Sequence, residues 1–435
     1  MRIKVKKGIF RKGIIVKIIL KVLLLLAFFM TSAFADEIDD LKKIINEQKA
    51  ILEEQRAVIE SLAKRVEAVE KKSEEAVVLA DAAVTAAEEG GSTEEGWWEK
   101  TSLGGYGEIH YEGHSTDQID FHRYVLYVDH EFNQYARFVS EFEIEHSFVK
   151  DGDGELEMEQ GYIEHDWAQF GVENTTAKYG MFLIPCGITN EIHEPPTFYG
   201  VERNEVEKEI CANTWWEGGI QLTHTIPYNS LQIIAGIHSS LTNSGGDIRS
   251  GRDKLEKQSA KVWSYSGKVK YTGMPNLDAG LFWSYQPDMG DDQVGPEVTG
   301  TLLGVYADYK QSEGFSTRVF WGKWNLDCPA YVGSGNTCIQ KGFDEQYGYF
   351  GEISHRWRLD LDSSIGAFMR YGVRDDNAGT LSGTNVHNKT KQWDAGVNYW
   401  ITDDAVLKVD FEEQTKDKAN QRDSRGVNLG IGYQF

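Results

Sequence analysis

The chain reads as an all-β protein, an antiparallel transmembrane β-barrel of about sixteen strands preceded by an α-helical coiled-coil stalk. Three observations carry that reading. First, the 435 residues contain 44 Gly, 12% aromatics and only 8 Pro, with a mean hydropathy of -0.45. Glycine and rings are abundant without long apolar runs. Second, no run of about 18 apolar residues occurs after the amino terminus, which rules out spanning helices. Third, from residue 97 hydrophobicity alternates with a period of two, in about sixteen segments of roughly ten residues each. The formal net charge of -23 argues against nucleic acid as a partner, because phosphate neutralisation needs a basic surface.

Residues 1–35 have the form of a secretory signal peptide. Arg2, Lys4, Lys6, Lys7, Arg11, Lys12, Lys17 and Lys21 carry no intervening acid, a short apolar core follows, and Ala33-Phe34-Ala35 supplies the small-residue cleavage pattern. Residues 36–89 then lack Gly, Pro and aromatics. Ile38, Ile45, Leu52, Ile59 and Val66 recur every seventh residue, interleaved with Leu41, Gln48, Gln55, Leu62 and Val69. A sustained a/d seam of this kind predicts a coiled coil, with Gln48 and Gln55 as register-setting polar layers. Past Val69 the seam fades to Ser and Ala. Residues 90–96, rich in Gly, Ser and Glu, read as a flexible linker.

The barrel domain is expected over 97–435. Its connections alternate in length, with short ones at 132–134, 227–230, 273–276, 311–314 and 402–404. Long polar ones fall at 185–214, 239–259, 286–297, 325–345, 375–391 and 415–424. Turns on one side and long loops on the other are the habit of bacterial outer-membrane barrels, and an even strand count brings both barrel ends to the periplasmic side. The final strand supports this. Val427, Leu429, Ile431, Tyr433 and Phe435 share one face, suited to lipid, while Asn428, Gly430, Gly432 and Gln434 share the other. Ending in Tyr433 and Phe435, it resembles the signal read by the barrel-assembly machinery of Gram-negative bacteria.

A family resemblance rests on one run of the sequence. Phe121-His-Arg-Tyr-Val-Leu-Tyr-Val-Asp-His-Glu-Phe132 precedes Arg137-Phe-Val-Ser-Glu-Phe-Glu-Ile-Glu-His146, then Glu157-Met-Glu-Gln-Gly-Tyr-Ile-Glu164 and Tyr179-Gly-Met-Phe-Leu-Ile-Pro-Cys-Gly-Ile188. Glu194-Pro-Pro-Thr-Phe-Tyr-Gly-Val-Glu-Arg-Asn204 and Thr214-Trp-Trp-Glu-Gly-Gly219 close it. This run resembles porins grouped with the phosphate-selective porin O and P family. The resemblance implies a sixteen-stranded homotrimer and a passive diffusion channel for small hydrophilic solutes and ions. It also implies that loop 185–214 folds into the lumen as a constriction.

Phosphate selectivity in that family implies a lumen lined by Arg and Lys, since an anion shedding water needs charge-assisted donors. The charges here are mixed. Alternation turns Arg123 and Arg137 inward, yet Glu141, Glu143 and Glu145 share Arg137's side. Loop 185–214 carries Glu191, Glu194, Glu202, Glu205, Glu207 and Glu209 against Arg203 and Lys208. Lys268, Lys270, Arg318, Arg370 and Lys408 share inward parity further round. An acidic wall facing a basic one would set up a transverse field, and the balance favours weak cation preference, with Glu202, Glu205 and Glu207 as its main determinants. The alternatives are an anion-selective or phosphate channel, a carbohydrate porin, and a structural tether between outer membrane and cell wall.

Most tyrosines and tryptophans at strand ends, Trp321, Tyr399 and Trp400 among them, read as interface girdles. Trp215 and Trp216 are the conspicuous candidates for a sugar-stacking row, but alternation turns one of an adjacent pair outward. Four cysteines in an oxidising compartment suggest disulfides. Cys328 with Cys338, and Cys186 with Cys211, are the natural pairs among three possible connectivities. No GxSxG, HExxH or P-loop occurs, so no catalysis, cofactor or metal is expected. The expected partners are further copies of the chain, outer-membrane lipid, the assembly machinery and, through the stalk, peptidoglycan.

Overall fold

The computed structural model describes residues 96–113, 117–148, 154–242, 248–258, 260–289, 297–327, 344–379, 388–417 and 423–435, together with Lys49 and Arg56, which are helical. The expected signal peptide, every other residue of the expected coiled coil, and the expected linker up to residue 95 lie outside these. So do Cys328 and Cys338.

Sixteen strands follow a single-turn 3-10 helix at Trp97–Lys100. They are β1 (Thr101–Glu112), β2 (Gln118–Asn133), β3 (Ala136–Glu145), β4 (Glu155–Asp166), β5 (Thr175–Leu183), β6 (Trp216–Ile226), β7 (Leu231–His238) and β8 (Ser264–Tyr271). The second half comprises β9 (Leu277–Gln286), β10 (Thr299–Tyr309), β11 (Gly314–Asp327), β12 (Glu345–Arg358), β13 (Ser364–Ala378), β14 (Lys389–Thr402), β15 (Ala405–Lys416) and β16 (Ser424–Gln434). Each pairs antiparallel with its neighbours, and β1 closes on β16 in the register Ile109↔Ile431. Closure leaves no edge strand to aggregate.

Side-chain burial is the inverse of a water-soluble protein. On β15, Leu407, Val409 and Phe411 are 40–44% exposed, whereas Lys408, Asp410 and Glu412 are each 5% exposed. The apolar residues face outward and the charges face the barrel interior, as lipid outside and a polar lumen inside require. On β16, Val427, Leu429 and Ile431 lie outward as the terminal alternation predicts, and Phe435 is also exposed. The backbone of Phe435 exchanges two hydrogen bonds with Gly105, at 2.9 and 3.0 Å, which ties the last residue into the closing seam.

Connections mostly alternate in length, but the turn-side link between β4 and β5, at 167–174, is as long as some on the other side. The first link on the long-loop side, between β1 and β2, spans only 113–117. Two register shifts change which side chains reach the lumen. Between Glu108↔Arg123 and His110↔Asp120, β2 carries an extra residue, so His122 and Arg123 both turn inward. Between Glu141↔Gln160 and Phe142↔Met158, β4 bulges at Glu159. Bulges re-aim side chains.

Candidate functional site

The segment joining β5 to β6 folds inside the barrel and fastens to most of its wall. Its base is closed by a Cys186–Cys211 disulfide, as the sequence spacing suggested. Gly187 adopts φ +61° beside that bond, where a Cβ would collide with the Glu207 carboxylate. The Glu207 side chain accepts from the backbone N–H groups of Ile188 and Thr189, which pins both ends of the loop together. Reducing the disulfide, or replacing both cysteines by Ser, should release about 3–4 kcal/mol of loop-ordering free energy. Trypsin should then cut at Arg203 or Lys208 in the folded barrel. Equal cleavage rates with and without the disulfide would refute this role.

From that base the loop crosses the lumen. Lys268 on β8 donates to the Gly187 carbonyl at 2.7 Å and to Glu191 at 2.5 Å. Arg123 donates to the His193 carbonyl (3.2 Å), the Trp400 indole to that of Pro196 (3.1 Å), and Lys408 to that of Gly200 (2.7 Å). The Val201 N–H donates to Asp410 at 2.5 Å. The chain then forms α1 (Glu205–Ile210), capped by Asn204, whose side chain accepts from Val206 and Glu207 N–H. Val206 and Ile210 point at the wall, into a glycine-floored groove on β11–β13. A Cβ on Gly348 would lie 2.5 Å from a Val206 methyl, and Gly322 and Gly372 flank it. Trp324 donates its indole N–H to the Ile210 carbonyl at 2.8 Å.

The opposite face of α1 is open. Glu202, Glu205, Lys208 and Glu209 are each partly exposed, with Arg374 and Arg249 alongside. Glu202 sits 2.8 Å from His110 and 3.9 Å from Lys208. Burial works against its charge, but His122, Lys208 and His110 outweigh that and hold the carboxyl well below the usual carboxylate range. Burial is likewise outweighed at Glu205, by Lys208 and Arg374, and its carboxyl is also lowered. At Glu209 burial wins and the carboxyl is raised. On the turn side of the loop lies a cavity of about 710 Å³, lined by Lys270, Lys310, Arg318 and Arg356 together with Asp278, Asp308, Glu352 and Asp403.

Several sequence expectations need correction. Glu207 does not line open space; it is fully buried as the clamp on the Ile188 and Thr189 N–H groups. Arg123, Glu141, Glu143 and Arg370 are also buried on the barrel wall, and Arg203 within the loop, rather than facing water. Arg137 lies near the turn end of its strand and pairs with Glu164 at 2.7 Å, not with the acids further along β3. The basic wall is not basic: Arg318 pairs with Asp308 (2.7 Å), Arg370 with Asp394 (2.7 Å) and Glu352 (3.5 Å), and Lys270 with Asp278 (2.6 Å). Trp215 and Trp216 are both buried, because Trp215 precedes β6 and escapes strand alternation, and Trp400 faces the loop instead of a girdle. Glu191, Glu194 and Lys208 are partly exposed, and Glu191 and Lys208 also take part in ion pairs with Lys268 and Glu205.

An apolar patch inside the barrel escaped sequence reading. Phe282, Phe320 and Phe350 stack at 5.6 and 5.7 Å on adjacent inward positions and support Val206, Ile210 and Trp215. The rings are covered by the loop, so they offer no open row for sugar stacking. The inward-facing Phe in β9, β11 and β12, each near a Gly on a neighbouring strand, was the available signal.

No family model matches the chain. An "Uncharacterized protein" of Aquifex aeolicus (strain VF5) is 36% identical over 358 residues, covering 73% of this chain and 76% of that one. The chain belongs to the same family as this Aquifex protein. Among solved structures, OmpF of Salmonella typhi in complex with daunomycin superposes with a TM-score of 0.52 at 12% identity, over 77% of this chain and 97% of that one. An anion-selective porin from Comamonas acidovorans gives 0.49 at 12% identity, over 77% and 99%. At such identities the likeness to OmpF is one of fold, a closed antiparallel barrel.

Proposed function

We propose that this family member is an outer-membrane porin, a water-filled passive channel for small hydrophilic solutes and ions in a Gram-negative bacterium. The observation that supports it best is the inverted burial combined with a charged loop anchored across the lumen. A membrane anchor needs the apolar exterior but has no use for an interior of ordered charge ladders. In this reading the loop between β5 and β6 is the constriction, its open face of Glu202, Glu205, Lys208 and Glu209 meets the solute, and the 710 Å³ cavity is the periplasmic vestibule. Residues 1–35 direct export, Tyr433 and Phe435 present the assembly signal, and residues 36–89 form a periplasmic coiled coil that reaches toward peptidoglycan.

Selectivity follows from which charges are already engaged. Arg318 and Arg370 are committed to carboxylates, and Lys408 to a loop carbonyl. Among the described residues this leaves little of that positive charge free for a phosphate and favours weak cation preference. Recording the purified chain in planar bilayers under a salt gradient tests the whole reading. Discrete ohmic steps with a mildly cation-selective reversal potential are expected. Absence of conductance would favour the tether, and a saturating phosphate current would favour the phosphate-selective class.

The stalk reading carries its own test. In this reading three heptad helices and three barrels make a homotrimer, so deleting residues 36–89 should lower the temperature at which trimers dissociate in detergent while each barrel stays folded. Monomeric full-length protein in analytical ultracentrifugation would contradict it.

A further inference from the structure

Beneath the loop, on the wall formed by β3 and β4, three side chains converge without satisfying one another. Glu141, Glu159 and His193 each aim one donor atom at a common point, all within 4.8 Å. His193 Nε2 lies 3.8 Å from Glu141 Oε1 and 3.8 Å from Glu159 Oε2. All three residues are at least 97% buried. Yet Glu141 Oε1, both carboxylate oxygens of Glu159 and both ring nitrogens of His193 have no hydrogen-bond partner. Buried polar atoms left this way destabilise the fold, and more so when charged. Such a cluster calls for a shared partner.

The charge of the surroundings says which sign that partner carries. Glu108, Glu141, Glu143 and Glu159 crowd here against Arg123 and Arg203. Arg123 is held by Glu108 at 2.6 Å and lies 3.9 Å from Glu143. The other ends of the ligands are fixed. Gln160 donates to Glu141 Oε2 at 2.6 Å, Arg123 holds the His193 carbonyl, and the bulge in β4 turns Glu159 inward.

We propose that Glu141, Glu159 and His193 bind a divalent cation of the zinc class, which staples the crossing loop to the β3–β4 wall. One imidazole and two carboxylates suit zinc or its first-row neighbours better than calcium, which avoids nitrogen. Tetrahedral ligands at about 2.0–2.1 Å from zinc stand about 3.4 Å apart, so the two 3.8 Å separations from His193 need to close only slightly and the two carboxylates, within 4.8 Å, draw together around the ion. Water for the fourth position is available from a cavity of about 330 Å³ that Glu141, Gln160, His193 and Glu194 line. The neighbouring His110–His122–Glu202 cluster differs, because His110 already bridges Glu108 (3.1 Å) and Glu202 (2.8 Å).

The test uses full-length protein in detergent, stripped with chelator and titrated with zinc chloride by calorimetry, with metal content measured after gel filtration. One equivalent per chain is expected, weakened at least ten-fold by Glu159→Gln and by His193→Gln and unaffected by His122→Ala. His193 lies in the loop, so its variant keeps every strand and serves if the strand variant misfolds. No stoichiometric uptake would overturn the site. Uptake that survives both Gln variants, or is lost in His122→Ala alone, would overturn it equally.

Discussion

Excising residues 201–209 should raise single-channel conductance several-fold while leaving the barrel intact. The segment runs inside the barrel from the Val201 contact on β15 to the groove on β11–β13, along one contiguous stretch of the wall, and carries the partly exposed Glu202, Glu205, Lys208 and Glu209. It contributes no residue to any strand, and every ladder of the closed sheet survives its removal. The ends of the excision remain close to the Cys186–Cys211 bond and to the Lys268, Arg123 and Trp400 anchors, so the remaining loop has fixed points to relax onto. Burial of Val206 and Ile210, worth about 1.5–3 kcal/mol each, is lost, and some thermal stability should go with it. Heat-resistant barrels with unchanged conductance would show that ions pass beside this segment, and the constriction would have to be sought elsewhere.

Much of this architecture is legible in the sequence because lipid imposes a strict rule. Every backbone group must be paired and every outward side chain apolar, so a period of two with alternating turn lengths is a pattern that few soluble folds produce. The Cys186–Cys211 spacing likewise marks the base of the crossing loop. What fails is alternation at irregular points. The extra residues at His122 and Glu159 put two consecutive side chains inward, and no periodic pattern locates a bulge. Within the loop itself no period exists at all, so Glu205 and Glu207 look alike in sequence. Only the fold of α1 separates the one that faces open space from the one that clamps backbone N–H groups. Pairing is the third loss. Lys and Arg at inward positions read as a basic wall until Asp308, Asp394 and Glu352 are seen to neutralise it.

That distinction between the loop glutamates sets the sharpest selectivity experiment. Glu202→Gln with Glu205→Gln should carry the reversal potential toward zero or into anion preference, whereas Glu207→Gln should leave it in place and instead loosen the loop. A single charge about 5 Å from a passing ion in water-like surroundings is worth about 0.8 kcal/mol, a factor of about four in local ion occupancy. Lys208, Arg249 and Arg374 offset part of it, which is why the unmodified preference is expected to be weak. Salt should mute the effect, since the screening length falls from about 10 Å at 0.1 M to about 3 Å at 1 M. Acid should not mute it early. Glu202 and Glu205 are both held below the ordinary range, so they keep their charge as pH falls through the usual glutamate value near 4.3, and cation preference should survive to lower pH still. A preference that vanishes while the pH is still above the usual glutamate range would place control on Glu209, whose carboxyl burial raises, and not on the pair named here.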